Sequence, residues 1–312
     1  VEGASDGKGL GNKFLDSLRQ ADMFIQIVDA SGTTDSEGKE GKGDPVQDVK
    51  MLENELDKWY RNILSKVWDK LTRTIQNTKQ DFAKEIAKQF SGLKVKEEDI
   101  KETLIKLNLN PEKPTSWSEE DLANFARTLR HLTKPMLIVA NKIDKEGSTE
   151  NFERLKSEFP EILIIPCSAD SELSLRQAAN AGLIEYIQGE SKFKINEEKI
   201  NEKQKGALEL INKNVLDKFG GTGVQEVLDK SVFELLKYIA IFPAGSKLAD
   251  SKGNILPDCF LLPKNTTALD FAYSLHTDIG DKFVKAIDVR TKQPVGKDHP
   301  LKNRDGIEIM TS

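Results

Sequence analysis

Asn141-Lys142-Ile143-Asp144 is the segment whose residue types and spacing could do chemistry. A carboxylate at Asp144 can accept two hydrogen bonds from one edge of a guanine, its N1–H and its exocyclic amine. Adenine has no such donor pair, so the wrong base would leave the acceptor unpaired. The Lys142 stem can lie over a purine face, and the Asn141 amide can tie two loops together. The tetrapeptide follows the apolar run Pro135–Ala140, and Cys167-Ser168-Ala169 closes a second apolar run, Ile162–Pro166. Backbone N–H groups at Ser168 and Ala169 can donate to a guanine O6. Three fixed residues at this spacing arise by chance in roughly 1 in 25 chains of this length. The reading therefore rests on the repeated strand-then-motif context.

A phosphate cradle of the form Gly-x-x-x-x-Gly-Lys-Ser/Thr presents backbone amides to phosphates, with its Lys and hydroxyl serving the β- and γ-phosphates and Mg²⁺. No Gly-Lys-Ser or Gly-Lys-Thr occurs in this sequence. Gly7-Lys8-Gly9-Leu10-Gly11, Gly41-Lys42-Gly43 and Gly296-Lys297-Asp298 lack the hydroxyl and a preceding strand. As written, the chain can read a guanine and cannot grip its triphosphate.

These loops need a sheet to hold them, and 312 residues are enough for two domains with sizeable cores. Met23–Val28 reads as a buried strand ending at Asp29, behind a Gly-rich opening loop and a helix capped at Asn12 with Phe14, Leu15 and Leu18 on its apolar face. From Val46 the apolar period becomes helical through Phe90, which predicts about forty residues of helix in one line. A shorter helix over 97–107 follows, and Ser118-x-x-Asp121 has the form of a capping box before Leu122, Phe125, Leu129 and Leu132. Together these predict a helical hairpin inserted between two strands of one sheet, its aromatic stripe forming the hairpin core. Residues 171–235 read as mainly helical. From Tyr238 onward short strands, turns and one helix over Thr267–His276 outline a β-grasp.

Composition narrows the class. Charged residues make up 31 % and apolar residues 38 %, with no run of 18 apolar residues and no signal peptide at the start. Cys167 and Cys259 have no metal spacing, so both read as inert core thiols in a reducing, cytoplasmic setting. A net charge of −5 argues against a strongly cationic nucleic-acid binder. Residues 236–312, with eleven Lys and Arg against nine Asp and Glu, carry a charge near +2. Asp29 reads as a loop cap at a strand end, and His276, His131 and His299 as capping or core-edge residues.

Several segments carry a family resemblance. The two base-reading loops are similar to those of Ras-like GTPases. Glu2–Leu15 with Arg19-Gln20-Ala21-Asp22 resembles the segment just after switch II in Obg/YchF-type GTPases, and Val28-Asp29-Ala30-Ser31-Gly32 resembles the strand end behind it. Thr267–Gly280 and Pro300–Met310 resemble the TGS domain. The resemblance implies an α/β fold: a Ras-like P-loop GTPase fold truncated at its N-terminus, with an inserted α-helical hairpin and a C-terminal β-grasp. Its expected parts are a partial G domain over 1–43, a coiled-coil-like hairpin over 44–133, the rest of the G domain with a helical extension over 134–236, and the TGS domain over 237–312.

Asn141, Lys142, Asp144, Ser168 and Ala169 are then the guanine-binding residues. ATP-preferring members of the family carry an altered base-reading motif, so Asn141-Lys142-x-Asp144 places this chain nearer an archaeal GTP-binding branch. The resemblance implies GTP and Mg²⁺ as cofactors, GTP hydrolysis as the activity, and ribosome or RNA as partner, without a membrane. The P-loop, switch regions and Mg²⁺ ligands would lie upstream of Val1, so no catalytic residue is assigned and this chain alone should bind nucleotide poorly. The alternative is a nucleotide-independent module docking on RNA or ribosome through the hairpin and TGS domain. The oligomeric state stays open.

Overall fold

The computed structural model describes residue 15 and residues 17–35, 38–245 and 258–312. The Gly-rich opening and the cap at Asn12 lie outside the described residues. Two compact units divide the chain, one ending at Val227 and the other running from Leu228 to Ser312.

In the first unit, β1 (Phe24–Asp29), β2 (Met136–Asn141) and β3 (Leu163–Pro166) form a parallel sheet in the order β1-β2-β3. The central strand β2 is buried at five successive residues, as a parallel strand covered on both faces requires. Edge strand β1 alternates instead: Phe24, Gln26 and Val28 are buried while Ile25 and Ile27 are exposed. Register pairs Asp29 with Asn141 and Ala140 with Pro166, so the three strands end side by side. Loops leaving such carboxyl ends are where an open α/β sheet holds its ligands.

Between β1 and β2 lie α1 (Pro45–Ser65), α2 (Trp68–Thr78), α3 (Phe82–Gln89), α4 (Glu97–Leu107) and α5 (Glu119–Thr133). The one helix, or two in line, expected from Val46 to Phe90 is three helices. It breaks at Lys66-Val67, then at Lys79, which takes a left-handed φ of 52°, and Asp81 caps the restart by accepting from the Lys84 N–H. Breaking the line lets one apolar stripe fold over itself: Trp68, Phe82, Trp117 and Phe125 meet with ring centroids 5.3–6.3 Å apart. Tyr60, Ile86, Phe90, Ile100 and Leu129 are fully buried around them. The capping box at Ser118 and Asp121 forms and starts α5.

Helix α6 (Ser148–Glu158) connects β2 to β3, and α7 (Ala169–Asn180) follows β3. A two-stranded ribbon, β4 (Ile184–Glu185) with β5 (Lys194–Ile195), interrupts the stretch expected to be mainly helical. Helices α8 (Glu202–Ile211) and α9 (Val224–Asp229) follow.

The second unit is a β-grasp. Strands β6 (Tyr238–Pro243), β7 (Phe260–Pro263), β8 (Phe283–Asp288), β9 (Gln293–Val295) and β10 (Asp305–Thr311) lie in the order β7-β6-β10-β8-β9. Helix α10 (Ala268–Leu275) buries Ala268 and Phe271 against Ile239, Ile241, Ala286 and Ile307. It starts at a capping box between Thr267 and Asp270. His276 caps the next short helix, its Nδ1 accepting from the Asp278 N–H at 3.1 Å.

Candidate functional site

The five residues singled out by sequence sit on two neighbouring loops beyond β2 and β3. Backbone bonds lock the loops together: Cys167 N–H donates to the Ala140 carbonyl at 2.9 Å, and Ile143 N–H to the Cys167 carbonyl at 3.1 Å. Ile143 is buried beneath them. Buried Ser148 closes the first loop by donating its hydroxyl to the Ile143 carbonyl at 2.7 Å.

Asn141 bridges the pair, its Oδ1 accepting from the Ala169 N–H at 3.1 Å. Ser168 donates its hydroxyl to Asp144 Oδ1 at 2.7 Å. Among the described residues, that leaves Asp144 Oδ2 paired with the Lys145 ammonium at 3.4 Å, a lysine whose side chain is 59 % exposed. A carboxylate held by one oxygen presents its other lone pairs outward in a fixed plane, the arrangement a two-donor ligand edge needs.

Two details depart from expectation. The Ser168 N–H does not face outward; it donates to the Thr222 carbonyl at 2.9 Å. Lys142, at a left-handed φ of 62°, turns its ammonium to Asp29 Oδ2 at 2.7 Å and the Thr34 hydroxyl at 2.8 Å. Asp29 also accepts from the Ser31 N–H and hydroxyl and from the Thr34 hydroxyl, so it caps its own loop as well as holding Lys142. Burial pushes its pKa up, but Lys142, Ser31 and Thr34 outweigh that and hold the carboxyl well below the usual carboxylate range. An open cleft of about 680 Å³ runs along the β1 edge beside Asp29, Thr34, Asn141 and Lys142; Asp144 is not among its walls.

Sequence reasoning missed the groups behind the second loop. Glu172, in the first turn of α7, is 4 % exposed and accepts from Thr222 Oγ1 at 2.6 Å, Arg176 Nε at 2.6 Å and the Tyr186 hydroxyl at 2.8 Å. Burial pushes Glu172 up, and these three donors bring it below its ordinary value, so it is ionised. Burial and Glu172 push the Cys167 thiol up to about 11, which makes it inert at neutral pH. Cys259 is exposed, contrary to the core position expected for it. Gly220-Gly221, which reads as a break in the helical stretch, is the sequence signal beside Thr222.

Among the described residues, no group of three or more His, Cys, Asp or Glu side chains could hold a metal ion. That leaves the Mg²⁺ expected from the sequence without a carboxylate donor set among the described residues. Nor is any described helix long and apolar enough to cross a membrane.

A parallel α/β sheet with the Asn141-Lys142-x-Asp144 and Ser168-Ala169 loops at its carboxyl ends, in a chain that also holds a β-grasp, has the outline of a nucleotide-binding class. Comparison with known proteins narrows this. Residues 139–245 match the family model described as the G4 motif-containing domain of Obg-like, YGR210-like GTPases, and residues 239–311 match the TGS domain. A GTP-binding protein of Methanocaldococcus jannaschii is 48 % identical over 315 aligned residues, covering all of this chain and 79 % of the relative. Another from Schizosaccharomyces pombe is 33 % identical, covering 86 % of this chain and 68 % of the relative. The crystal structure of a GTP-binding protein from Pyrococcus horikoshii superposes with a TM-score of 0.76 at 43 % identity, covering 96 % of this chain and 81 % of that one. The chain belongs to the Obg-like, YchF-type family of GTP-binding proteins. The protein named ribosome-binding ATPase YchF in Bacillus subtilis is 29 % identical over 56 % of this chain and 47 % of its own length.

Proposed function

We propose that this chain is the base-reading and docking portion of a regulatory GTPase. Asp144 accepts the guanine N1–H and exocyclic amine, Lys142 lies along the purine, Asn141 joins the loops, and Ser168 and Ala169 complete the pocket. The observation that carries the reading is the 2.7 Å bond from the Ser168 hydroxyl to Asp144 Oδ1, which fixes the acceptor's orientation from the neighbouring loop. The Ala169 N–H, which donates to Asn141 Oδ1 at 3.1 Å, supplies a shared second bond to O6.

Phosphate and Mg²⁺ contacts, and hydrolysis with them, belong to parts of the protein other than these residues. Residues 1–43 and 134–236 act as parts of one nucleotide domain, 44–133 as an inserted docking arm and 237–312 as a TGS module. The ribosome-binding name of the Bacillus relative and the net positive charge of residues 236–312 support a cytoplasmic role on the ribosome or its RNA.

The test is titration of GTP and ATP, each with Mg²⁺, into these 312 residues and into the full-length protein. Guanine-selective binding by the full-length protein, with binding too weak to reach micromolar affinity by the 312 residues alone, is expected because phosphate contacts dominate nucleotide affinity. Equal affinity for both nucleotides in the full-length protein would overturn the base-reading role. Micromolar GTP binding by the shorter chain would overturn the division of labour.

A further inference from the structure

Behind the second base loop, a strap of backbone is pressed closer than any side chain would allow. Gly223 has a φ of +83°, and a Cβ there would meet the Pro166 carbonyl oxygen at 2.0 Å and the Cys167 Cα at 3.0 Å. Only glycine fits both the conformation and the gap. Its neighbour Thr222 is 1 % exposed and makes two bonds in opposite directions. Its carbonyl accepts from the Ser168 N–H at 2.9 Å. Its hydroxyl donates to Glu172 at 2.6 Å.

Glu172 lies one helical turn beyond Ser168, donating its own N–H to the Ser168 carbonyl at 3.1 Å. The Ser168 hydroxyl in turn caps α7 through Ser171 and reaches Asp144. An acidic side chain in a first helical turn is favourable against the helix dipole without any strap. A buried carboxylate, however, must be satisfied by donors, and here one of them is drawn from a segment fifty residues away in sequence.

The consequence falls on the base loop. Because Thr222 takes the Ser168 N–H, the Ala169 N–H, which donates to Asn141 Oδ1 at 3.1 Å, is the one of the two amides that can be shared with a purine 6-position. A donor there favours the guanine keto oxygen and opposes the adenine amine. The same clamp fixes the Ser168 hydroxyl that orients Asp144. We infer, building on the guanine-reading role proposed above, that Glu172 and Thr222 are positioning residues for base selection: they act through Ser168 and touch no nucleotide themselves.

The experiment compares Thr222→Val, Thr222→Ser and Glu172→Gln with wild type in the full-length protein, by two measurements. One is amide hydrogen exchange at Ser168, referenced to Ile138 in β2. The other is the ratio of ADP to GDP dissociation constants. Losing one buried charge-assisted bond should raise Ser168 exchange relative to Ile138, and lower the ratio, by about tenfold in Thr222→Val and Glu172→Gln. Thr222→Ser, which keeps the hydroxyl, should stay within about twofold of wild type on both. A purely structural role predicts lower melting temperatures with an unchanged nucleotide ratio, and that result overturns the inference. So does unchanged exchange at Ser168, or loss of selectivity in Thr222→Ser equal to that in Thr222→Val. A wild-type protein indifferent to the base overturns the guanine reading itself, and this inference with it.

Discussion

Arg130 in the helical insertion and Glu172 behind the base loop are both buried charges, and they are used differently. Arg130 is 1 % exposed on α5 and donates two parallel bonds to Glu53, both at 2.8 Å, and a third to Asp57 at 3.0 Å. Both acceptors are on α1, so the network fastens the two longest helices of the insertion and ends there. Glu172 fastens a strap whose far side touches the loop bearing Ser168, and the Ser168 hydroxyl holds the Asp144 carboxylate on the neighbouring loop. The first network is built to hold helices; the second, to hold a loop in one orientation. Removing a partner should cost stability in the first region and selectivity in the second.

The largest effect is expected at Arg130. Arg130→Ala leaves Glu53 with His131 and Asp57 with the exposed Arg127, and breaking a buried ion network from one side costs about 3–5 kcal/mol. Chemical denaturation of wild type and variant, read at several wavelengths, checks it. A loss below about 1 kcal/mol would mean that water replaces the guanidinium freely and the insertion is not pinned there.

Asp144→Asn comes next and should spare stability. The variant exchanges an acceptor for a donor at the oxygen facing the guanine N1–H and amine. Loss of two charge-assisted bonds lowers guanine affinity by about a hundredfold, leaving adenine affinity nearly unchanged. Competition between GDP and ADP for the full-length protein measures both. Parallel loss for the two nucleotides would place Asp144 in the scaffold rather than in base reading.

The contrast between regions also governs what could be read from sequence. That these two loops stand side by side was legible because their residues carry the pattern: a carboxylate at Asp144, a bridging amide at Asn141 and a small hydroxyl residue at Ser168, each loop after an apolar strand. The β-grasp was legible for a local reason, since the Thr267 and Asp270 capping box and the alternating strands are short-range signals. Thr222 was not legible, because its carbonyl does the holding and every residue has one. Nor was the folded-back insertion: its apolar stripe keeps helical spacing across Lys66-Val67 and Lys79, and the breaks are decided by aromatic rings meeting from elsewhere in the chain. Strands β4 and β5, two residues each, are too short for any period to show.

Acid separates the regions further. Burial pushes Glu53 up, but hydrogen bonds from His131 and Arg130 outweigh it and bring its pKa from 4.5 to about 2. A carboxyl depressed in the folded state stabilises the fold above its unfolded value. That contribution, on the order of 2 kcal/mol, is lost as pH falls from about 4.5 toward 2. Denaturation midpoints from pH 6 to pH 2 should therefore fall more steeply for wild type than for Glu53→Gln, with the gap between them closing through that window. A gap that is constant with pH would show that Glu53 contributes packing and not charge.

The smallest effect belongs to the first base loop, and it sharpens the comparison most. Lys142 is held by Asp29 at 2.7 Å with its own side chain 40 % exposed, so this tether is wet where the Glu172 tether is dry. A half-exposed pair is worth less than about 1 kcal/mol and is screened by salt. Asp29→Asn keeps an acceptor for Ser31 while removing the charge and the oxygen that takes Thr34 and Lys142. It should weaken guanine binding by no more than about threefold at low salt, and the deficit should shrink toward nothing near 1 M salt. Glu172→Gln, by contrast, should keep its tenfold selectivity loss at every salt concentration, because a carboxylate out of contact with solvent is screened little. Isothermal titration of GDP into both variants across a salt series decides between them. If Asp29→Asn lost selectivity as deeply and as independently of salt as Glu172→Gln, the two loops would be held by equivalent tethers, and the distinction between a wet latch on Lys142 and a dry strap on Ser168 would fall.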